Sequence, residues 1–413
     1  MPWNAPAYMS ARMAANGGHR SMNKQLPLVV VAGQVPPPTG GQNVMIQRIV
    51  DELGADPGWR TVHLPFFFTP SFKNVRKFSL GKIIELVAVW LRFLRLVRAH
   101  GKPDILLYPS GGPQTIPVVR DILLLPLFSK FSRRVVVQFH AAGIADRLAG
   151  GAGLIEKTLL RAYRGVSAAI VMTDFNRNDP AALGIEDIRV IPHRLPDENP
   201  GSMLPDYSAF LNPPSSIRNP HSASAPPSFN ILYAGHLYDL KGTPQLIEAF
   251  GMLAADFPHV RLCLMGEFLP PYTEQDCRAR ISELGISDRV EITGVLREDS
   301  KARKFQGAHL FVFPSIAPYE SFGLVMAEAM MWGLPVVATE WRGNRDVLGP
   351  DAPCVPVDSR LPIRLSDALR KMLADPSRLP GISLTARTRY EARFRLETGT
   401  SDYRSLLHQM LHL

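Results

Sequence analysis

Two carboxylates, Glu320 and Glu328, form the most suggestive chemical pattern in this sequence of 413 residues. Glu320 lies in a loop after the apolar run 310–313, and Glu328 lies within a helix predicted to begin between Ser321 and Leu324. At 1.5 Å per helical residue they are roughly 12 Å apart. They cannot share one proton or one metal ion, but they can bind hydroxyls at opposite ends of an extended ligand. The free amides at the helix start favour an anion nearby. A solvated loop acid followed by an ordinary helix glutamate is the alternative.

A second candidate site follows the apolar run 230–233. Gly235 ends this predicted strand, His236 and Lys241 lie in the loop, and Pro244 is in the first turn of the next helix. Lys241 and His236 would oppose phosphate charge beside that helix start. The alternative is a plain strand–helix connection with a surface lysine.

The first half of the chain contributes two further candidates. The loop at Gly40 and Gly41 lets the backbone approach a ligand closely, although a tight turn would need the same residues. His140 stands at the carboxyl end of the run 134–139, where it could donate to a sugar hydroxyl or act as acid–base. A structural histidine is equally compatible with the pattern.

The elements around these residues predict an α/β fold with two Rossmann-like, doubly wound domains facing a central cleft. Short β-branched runs alternate with amphipathic stretches in both halves, which is typical of parallel sheets. We predict a flexible leader (1–25), a first domain (26–200), a Pro/Ser-rich linker (201–228), a second domain (229–390) and a terminal helix (391–413).

Composition and motifs narrow the function classes. The net charge of +9 suggests an anionic partner. Three scattered cysteines predict neither a disulfide framework nor a thiolate zinc site, and no apolar run predicts a signal peptide or membrane span. The chain also lacks an Asp-x-Asp pair, a P-loop, and the hydrolase and metalloprotease motifs. Basic residues without interleaved aromatics on a known module argue against nucleic-acid binding.

Taken together, these residues resemble the retaining glycosyltransferases of the GT-B fold that carry a Glu-x7-Glu motif, the family 4 or "glycosyl transferases group 1" type. The resemblance covers roughly residues 28–346 and implies an enzyme that transfers a sugar from a nucleotide-diphosphate sugar. It implies that the second domain (229–390) binds the nucleotide sugar, that the first domain (26–200) is the acceptor side, and that the terminal helix (391–413) packs back on the first domain. It implies no obligatory cofactor or metal, although Mg²⁺ could accompany the nucleotide. The implied catalytic residues are Glu320, His140 and Lys241. The implied donor-binding residues are Gly40, Gly41, Gly235, His236, Lys241, Ser321, Phe322, Gly323, Leu324 and Glu328.

Roles follow from the resemblance residue by residue. Glu328 would hold the ribose diol, Glu320 and His140 would contact the transferred sugar, and Lys241 would neutralise the diphosphate. The amides of residues 322–324 would meet phosphate and sugar, and Gly41 would lie against the diphosphate. The sequence departs from the family at His236, where arginine is common, at His193-Arg194, which replaces Asn-Gly, and at Asp346, where glutamate is common.

Two other function classes stay open, namely an inactive nucleotide-sugar-binding protein and an epimerase or phosphorylase of the same fold. The expected acceptor is a glycan, as in polysaccharide biosynthesis, a lipid-linked sugar or a small molecule. We expect a cytoplasmic location, with peripheral membrane association through residues 66–102. This stretch has eight basic residues against Glu85, and Phe66, Phe67, Phe68 and Trp90 are its predicted anchors. A sheet-covering helix with a solvated basic edge is the alternative.

Overall fold

The computed structural model describes residues 26–37, 41–68, 80–151, 153–211, 227–396 and 402–412. Each half of the chain forms a six-stranded sheet in which every neighbouring pair of strands is parallel. The predicted α/β fold with two doubly wound domains is therefore confirmed. The predicted leader and residues 212–226 of the predicted linker lie outside the described residues.

The first sheet has the strand order β2-β1-β3-β4-β5-β6. Its strands are β1 Leu28–Gly33, β2 Arg60–Pro65, β3 Ile105–Pro109, β4 Arg134–Phe139, β5 Ala168–Val171 and β6 Ile188–Val190. The helices between and after them are α1 Gly41–Gly54, α2 Leu80–His100, α3 Thr115–Phe131, α4 Ile144–Ala149, α5 Leu154–Tyr163, α6 Asn178–Ala182 and α7 Ser208–Leu211.

The second sheet has the order β12-β11-β10-β7-β8-β9. Its strands are β7 Phe229–Ala234, β8 Val260–Met265, β9 Val290–Gly294, β10 Leu310–Phe313, β11 Val336–Thr339 and β12 Cys354–Val355. The helices are α8 Thr243–Ala254, α9 Glu274–Glu283, α10 Glu298–Gln306, α11 Leu324–Met331, α12 Asn344–Leu348, α13 Leu361–Ala374, α14 Leu379–Arg393 and α15 Asp402–His412.

The central strands are apolar runs because helices cover both faces of each sheet. Every residue of β1, β10 and β11 is buried, as expected for parallel strands with no solvated face. The sequence analysis did not identify β2 and β12. β2 alternates polar and apolar residues at a sheet edge, and β12 has only two residues.

The chain crosses between the domains at two neighbouring places. The Leu195 amide donates to the Phe394 carbonyl at 2.7 Å, and the Leu396 amide donates to the Leu195 carbonyl at 2.9 Å. Beside them the buried Arg387 pairs with Asp197. The two crossings are thus hydrogen-bonded to each other.

The predicted helix 391–413 is wrong as a single element. Helix α14 ends at Arg393, and α15 begins separately at Asp402. Helix α15 lies on the first domain, where Asp402 pairs with Arg194 at 2.9 Å and the His408 ring is 4.8 Å from the Trp59 ring. Within the predicted linker 201–228, residues Ser208–Leu211 form helix α7.

Two of the predicted membrane anchors are not free to act as such. Phe66 is buried at 2% exposure and Phe68 is half-buried, whereas Phe67 and Trp90 are exposed. Phe66 packs against Phe68 and Tyr108 in the core of the first domain. Within the described ranges, no helix is long and apolar enough to cross a membrane.

Candidate functional site

The loop after β7 is shaped by glycines at positions that exclude a side chain. Gly242 has φ +74°, and a Cβ there would lie 2.2 Å from the Pro314 carbonyl oxygen. Gly266 has φ +154°, and its Cβ would lie 1.7 Å from the carbonyl oxygen of Gly235. The close approach at Gly242 brings the Lys241 turn against the loop that follows β10, and the one at Gly266 brings the end of β8 against Gly235.

This packing joins Lys241 to Glu320. The Lys241 Nζ donates to Glu320 Oε2 at 2.5 Å, and the Ser315 hydroxyl donates to the same oxygen at 2.7 Å. All three side chains are largely buried. No described residue donates to Glu320 Oε1. The structure thus brings together two residues that the sequence predicted for one site, and adds Ser315.

Glu328 occupies a different environment on α11. The helix is otherwise apolar and mostly buried, and it begins after Gly323, whose φ of +65° is left-handed. The Lys301 Nζ donates to Glu328 Oε1 at 2.6 Å, while Oε2 is buried and has no partner among the described residues. Glu320 and Glu328 are therefore each paired with a different lysine, as two separate sites would be.

Ser321 lies at the contact between the domains. Its hydroxyl donates to the His140 carbonyl at 2.6 Å, and its own carbonyl accepts from Asn176 Nδ2 at 2.8 Å. The Ala142 amide donates to the Tyr319 carbonyl nearby at 3.2 Å. The loop that holds Glu320 is therefore fixed directly to the carboxyl end of β4.

The start of helix α1 faces the start of α11. A Cβ on Gly41, the first residue of α1, would lie 3.9 Å from Leu324 Cδ2. Gly40 lies outside the described residues. Two helix N-termini, one from each domain, thus meet at the cleft, and both carry the partial positive charge of unpaired amides.

His140 is held in a stack of rings. Its Nε2 donates to Gln138 Oε1 at 3.1 Å, and its Nδ1 is buried without a partner among the described residues. The His193 ring stacks on it at 5.4 Å and 10°, and Phe322 packs edge-on against His193 at 5.3 Å. Burial lowers the pKa of His140 to about 4, so the ring is neutral near pH 7.

His236 is also neutral near pH 7. Burial lowers its pKa, and the charge of Lys241 lowers it further. Its ring can therefore donate a hydrogen bond but does not supply a fixed positive charge, in contrast to the arginine common at this position in the family it resembles.

Arg194 and Asp346, two residues that differ from the family pattern, form contacts that join separate parts of the fold. Arg194 pairs with Asp402 of α15, and Asp346 Oδ2 accepts from the Phe175 amide at 2.8 Å. Arg194 thus fastens the terminal helix to the first domain, and Asp346 fastens the second domain to the loop after β5.

Sequence reasoning did not identify Ser315, Asn176, Lys301 or a ring-stacking role for His193. Ser315 and Asn176 lie just after strands β10 and β5, where cleft residues are expected in such sheets, so their position was an available signal. Lys301 carried no such signal, because it lies on α10, far in sequence from Glu328. Within the described part of the chain, no group of three or more His, Cys, Asp or Glu could hold a metal ion.

The family model described as Glycosyl transferases group 1 matches residues 219–393, which span the second sheet and its helices. Among curated proteins, a D-inositol 3-phosphate glycosyltransferase from Xylanimonas cellulosilytica is 34% identical over 158 residues, which are 38% of this chain and 37% of that protein. A mannosylfructose-phosphate synthase from Agrobacterium fabrum is 33% identical over 26% of this chain and 25% of its own length. These matches show that the second domain is similar to the glycosyl transferases group 1, and the chain spans little more than a third of the length of the first of these relatives.

Solved structures resemble nearly the whole chain in fold. Sucrose-phosphate synthase from Thermosynechococcus elongatus has a TM-score of 0.66 at 20% identity, covering 94% of this chain and 99% of its own. HepE from Anabaena, solved in complex with UDP and glucose, has a TM-score of 0.61 at 18% identity, covering 94% and 100%. The two-domain architecture is that of the GT-B glycosyltransferases.

Proposed function

We propose that this protein is a retaining glycosyltransferase that moves a sugar from a nucleotide-diphosphate sugar to a hydroxyl acceptor. The observation that carries the proposal is the Lys241–Glu320 pair, in which Glu320 belongs to a loop that is hydrogen-bonded to the His140 backbone. A cation, a carboxylate and a neutral imidazole near two facing helix starts suit a ligand with both phosphates and sugar hydroxyls.

In this proposal Glu328 binds the ribose of the nucleotide. Its buried Oε2 lacks a donor among the described residues, and a ribose hydroxyl would supply one. Lys301 orients the carboxylate through its hydrogen bond to Oε1. The amides at the start of α11, from residues 322 to 324, are proposed to meet the phosphate and the transferred sugar.

Lys241 is proposed to bind the diphosphate. Its ammonium group has three donors, so it can keep its bond to Glu320 and still donate to phosphate oxygens. His236 and the backbone at Gly235 would contribute hydrogen bonds rather than charge, because burial lowers the His236 pKa. Gly41, at the start of α1, would approach the diphosphate from the first domain.

Glu320 and His140 are proposed to hold the transferred sugar. Glu320 Oε1, to which no described residue donates, would accept from a sugar hydroxyl, and the orphaned Nδ1 of His140 would accept from another. Retention then follows from displacement on one face of the sugar, in which the departing phosphate removes the proton from the acceptor. The protein would stabilise charge and fix positions, with no metal required. Mg²⁺ could accompany the nucleotide.

The acceptor is proposed to be a glycan, a lipid-linked sugar or a small molecule. The similarity to a D-inositol 3-phosphate glycosyltransferase and to a mannosylfructose-phosphate synthase favours a hydroxyl-rich acceptor. We also propose a cytoplasmic location with an anionic membrane surface as a partner of the first domain, on the charge of residues 66–102.

A panel of UDP-, GDP- and ADP-sugars tests the proposal. A true donor should raise the unfolding temperature, because it binds only the folded protein, and should release nucleotide diphosphate once acceptor is added. Thermal protection without release at any acceptor would favour the inactive binding protein. Conversion of the nucleotide sugar without an acceptor, or release driven by inorganic phosphate, would favour the epimerase or the phosphorylase.

A further inference from the structure

Helix α2 presents an apolar face to solvent. Six of its large apolar side chains are exposed, with exposed fractions from 38% for Leu94 to 62% for Ile84. The set comprises Ile83, Ile84, Val87, Trp90, Leu91 and Leu94. We call these six residues the α2 stripe. Single exposed apolar residues are common on protein surfaces, but six on one helix are a patch.

The stripe is continuous. At 100° per residue its members fall within an arc of about 120°, and from residue 83 to residue 94 it runs about 17 Å along the axis. The opposite face packs on the sheet through the buried Val89, Phe93 and Leu96. Burial in the first domain therefore accounts for one face of α2 and leaves the other unexplained.

Positively charged side chains border the stripe, and the one acidic residue of the helix is paired with other groups. Arg95, Arg98 and Lys102 are exposed at its carboxyl end. The Glu85 carboxylate accepts hydrogen bonds from the Arg92 guanidinium at 2.6 Å and from the Phe67 amide at 2.7 Å. From residue 80 to 102 the sequence has five basic residues and one acid, a net charge of +4.

We propose that the α2 stripe docks on an anionic lipid bilayer. Its apolar side chains would lie at the boundary between the headgroups and the acyl chains, and the bordering cations would contact lipid phosphates. Phe67, 64% exposed and under the Arg92 guanidinium at 5.1 Å, would lie beside it. Charge selects this occupant over a second copy of the chain, because two copies of a +4 surface would repel each other.

The docking supplies the contact surface for the membrane partner proposed above, and its link to catalysis rests on the proposed function. Because α2 belongs to the first domain, docking would bring that domain, the acceptor side implied by the family resemblance, to the lipid surface. A lipid-linked acceptor would then reach the cleft without leaving the bilayer.

Co-sedimentation of the full chain with vesicles tests the docking. Wild-type protein should bind phosphatidylcholine vesicles containing phosphatidylglycerol and bind pure phosphatidylcholine far less. An Ile84→Asp/Leu91→Asp variant should lose binding, and an Arg95→Ala/Arg98→Ala/Lys102→Ala variant should bind on the order of 100-fold more weakly. The matched control is Ile363→Asp/Leu384→Asp, two exposed apolar positions on helices of the second domain, which should bind like wild type.

Trp90 provides a local signal. Its fluorescence should shift to the blue with anionic vesicles, and Trp90→Phe should remove the shift while binding persists. No binding by wild type, or equal binding by the stripe variant, would overturn the docking. So would self-association, seen by sedimentation velocity, that the stripe variant abolishes. Nucleotide affinity should be equal in all variants, so a protein that binds nucleotide but not vesicles refutes the docking alone, and the converse refutes the transferase alone.

Discussion

Removing the Lys241 ammonium should reduce both turnover and stability, for separable reasons. In our proposal Lys241 meets negative charge that grows on the diphosphate as the glycosidic bond breaks. Loss of one such electrostatic donor costs about 3 kcal/mol of transition-state stabilisation, roughly a hundredfold in rate. We therefore expect Lys241→Ala to lower turnover about a hundredfold and to weaken donor binding as well.

The structure predicts the stability effect independently. Among the described residues, Lys241→Ala leaves the largely buried Glu320 carboxylate with only the Ser315 hydroxyl as a donor. Breaking a buried ion pair by removing one partner costs about 3–5 kcal/mol, and the remaining hydrogen bond favours the lower end, about 3 kcal/mol. Adding Glu320→Gln removes the unpaired charge, so the double variant should regain about 2 kcal/mol of stability without regaining turnover.

Urea denaturation and initial rates at saturating acceptor measure the two effects. Lys304→Ala is the control, because Lys304 forms an exposed ion pair of similar length with Glu291, at 2.6 Å. Its loss should lower the unfolding free energy by less than about 1 kcal/mol and leave turnover unchanged. Glu320→Gln alone should impair turnover more than affinity for the nucleotide diphosphate. Wild-type turnover in Lys241→Ala, or strictly additive losses of stability in the double variant, would refute the reasoning.

Three further outcomes follow from the same geometry. Gly242→Ala should lower the unfolding free energy by more than about 2 kcal/mol, since its φ is positive and its Cβ would overlap the Pro314 carbonyl, whereas Gly381→Ala, with open space around it, should not; equal effects in urea would contradict the steric argument. Because burial lowers the His140 pKa to about 4, the folded state binds fewer protons than the unfolded chain between pH 6.5 and 4. The unfolding free energy should therefore fall as the pH falls through that window, by up to about 3 kcal/mol from this residue. Denaturation of His140→Gln at pH 7 and pH 4.5 should show a smaller fall than wild type, and an equal fall would count against the assignment. His193→Ala should lower turnover about tenfold more than His193→Phe, which keeps a ring stacked on His140; equal initial rates would show that stacking does not position that residue.

The fold was predictable because parallel sheets mark the sequence strongly. Strands such as β3, β4 and β10 coincide with apolar runs, since both faces of each strand are buried. The edge strand β2 was not found, because polar and apolar side chains alternate along it and most of them are only half-buried. The break before α15 was also missed, since the sequence on both sides of it is compatible with a helix.

The candidate site was predictable only in part. The residue types and chain positions of Glu320, Lys241 and His140 carried a chemical signal, and the structure brings their loops together. The partners that tune them come from distant parts of the chain. The Lys301–Glu328 pair joins α10 to α11, and such long-range contacts leave no local pattern in one sequence.

The paired crossings at Leu195 and Phe394 limit how the two domains can rotate. Two bodies joined by a single flexible strand keep three rotational degrees of freedom, whereas two adjacent strands bonded to each other leave essentially one, a swing about the line through both crossings. Domain closure around a ligand would then follow a single angular coordinate. The entropy lost on closing is correspondingly small, so more of the donor's binding free energy remains for orienting the sugar.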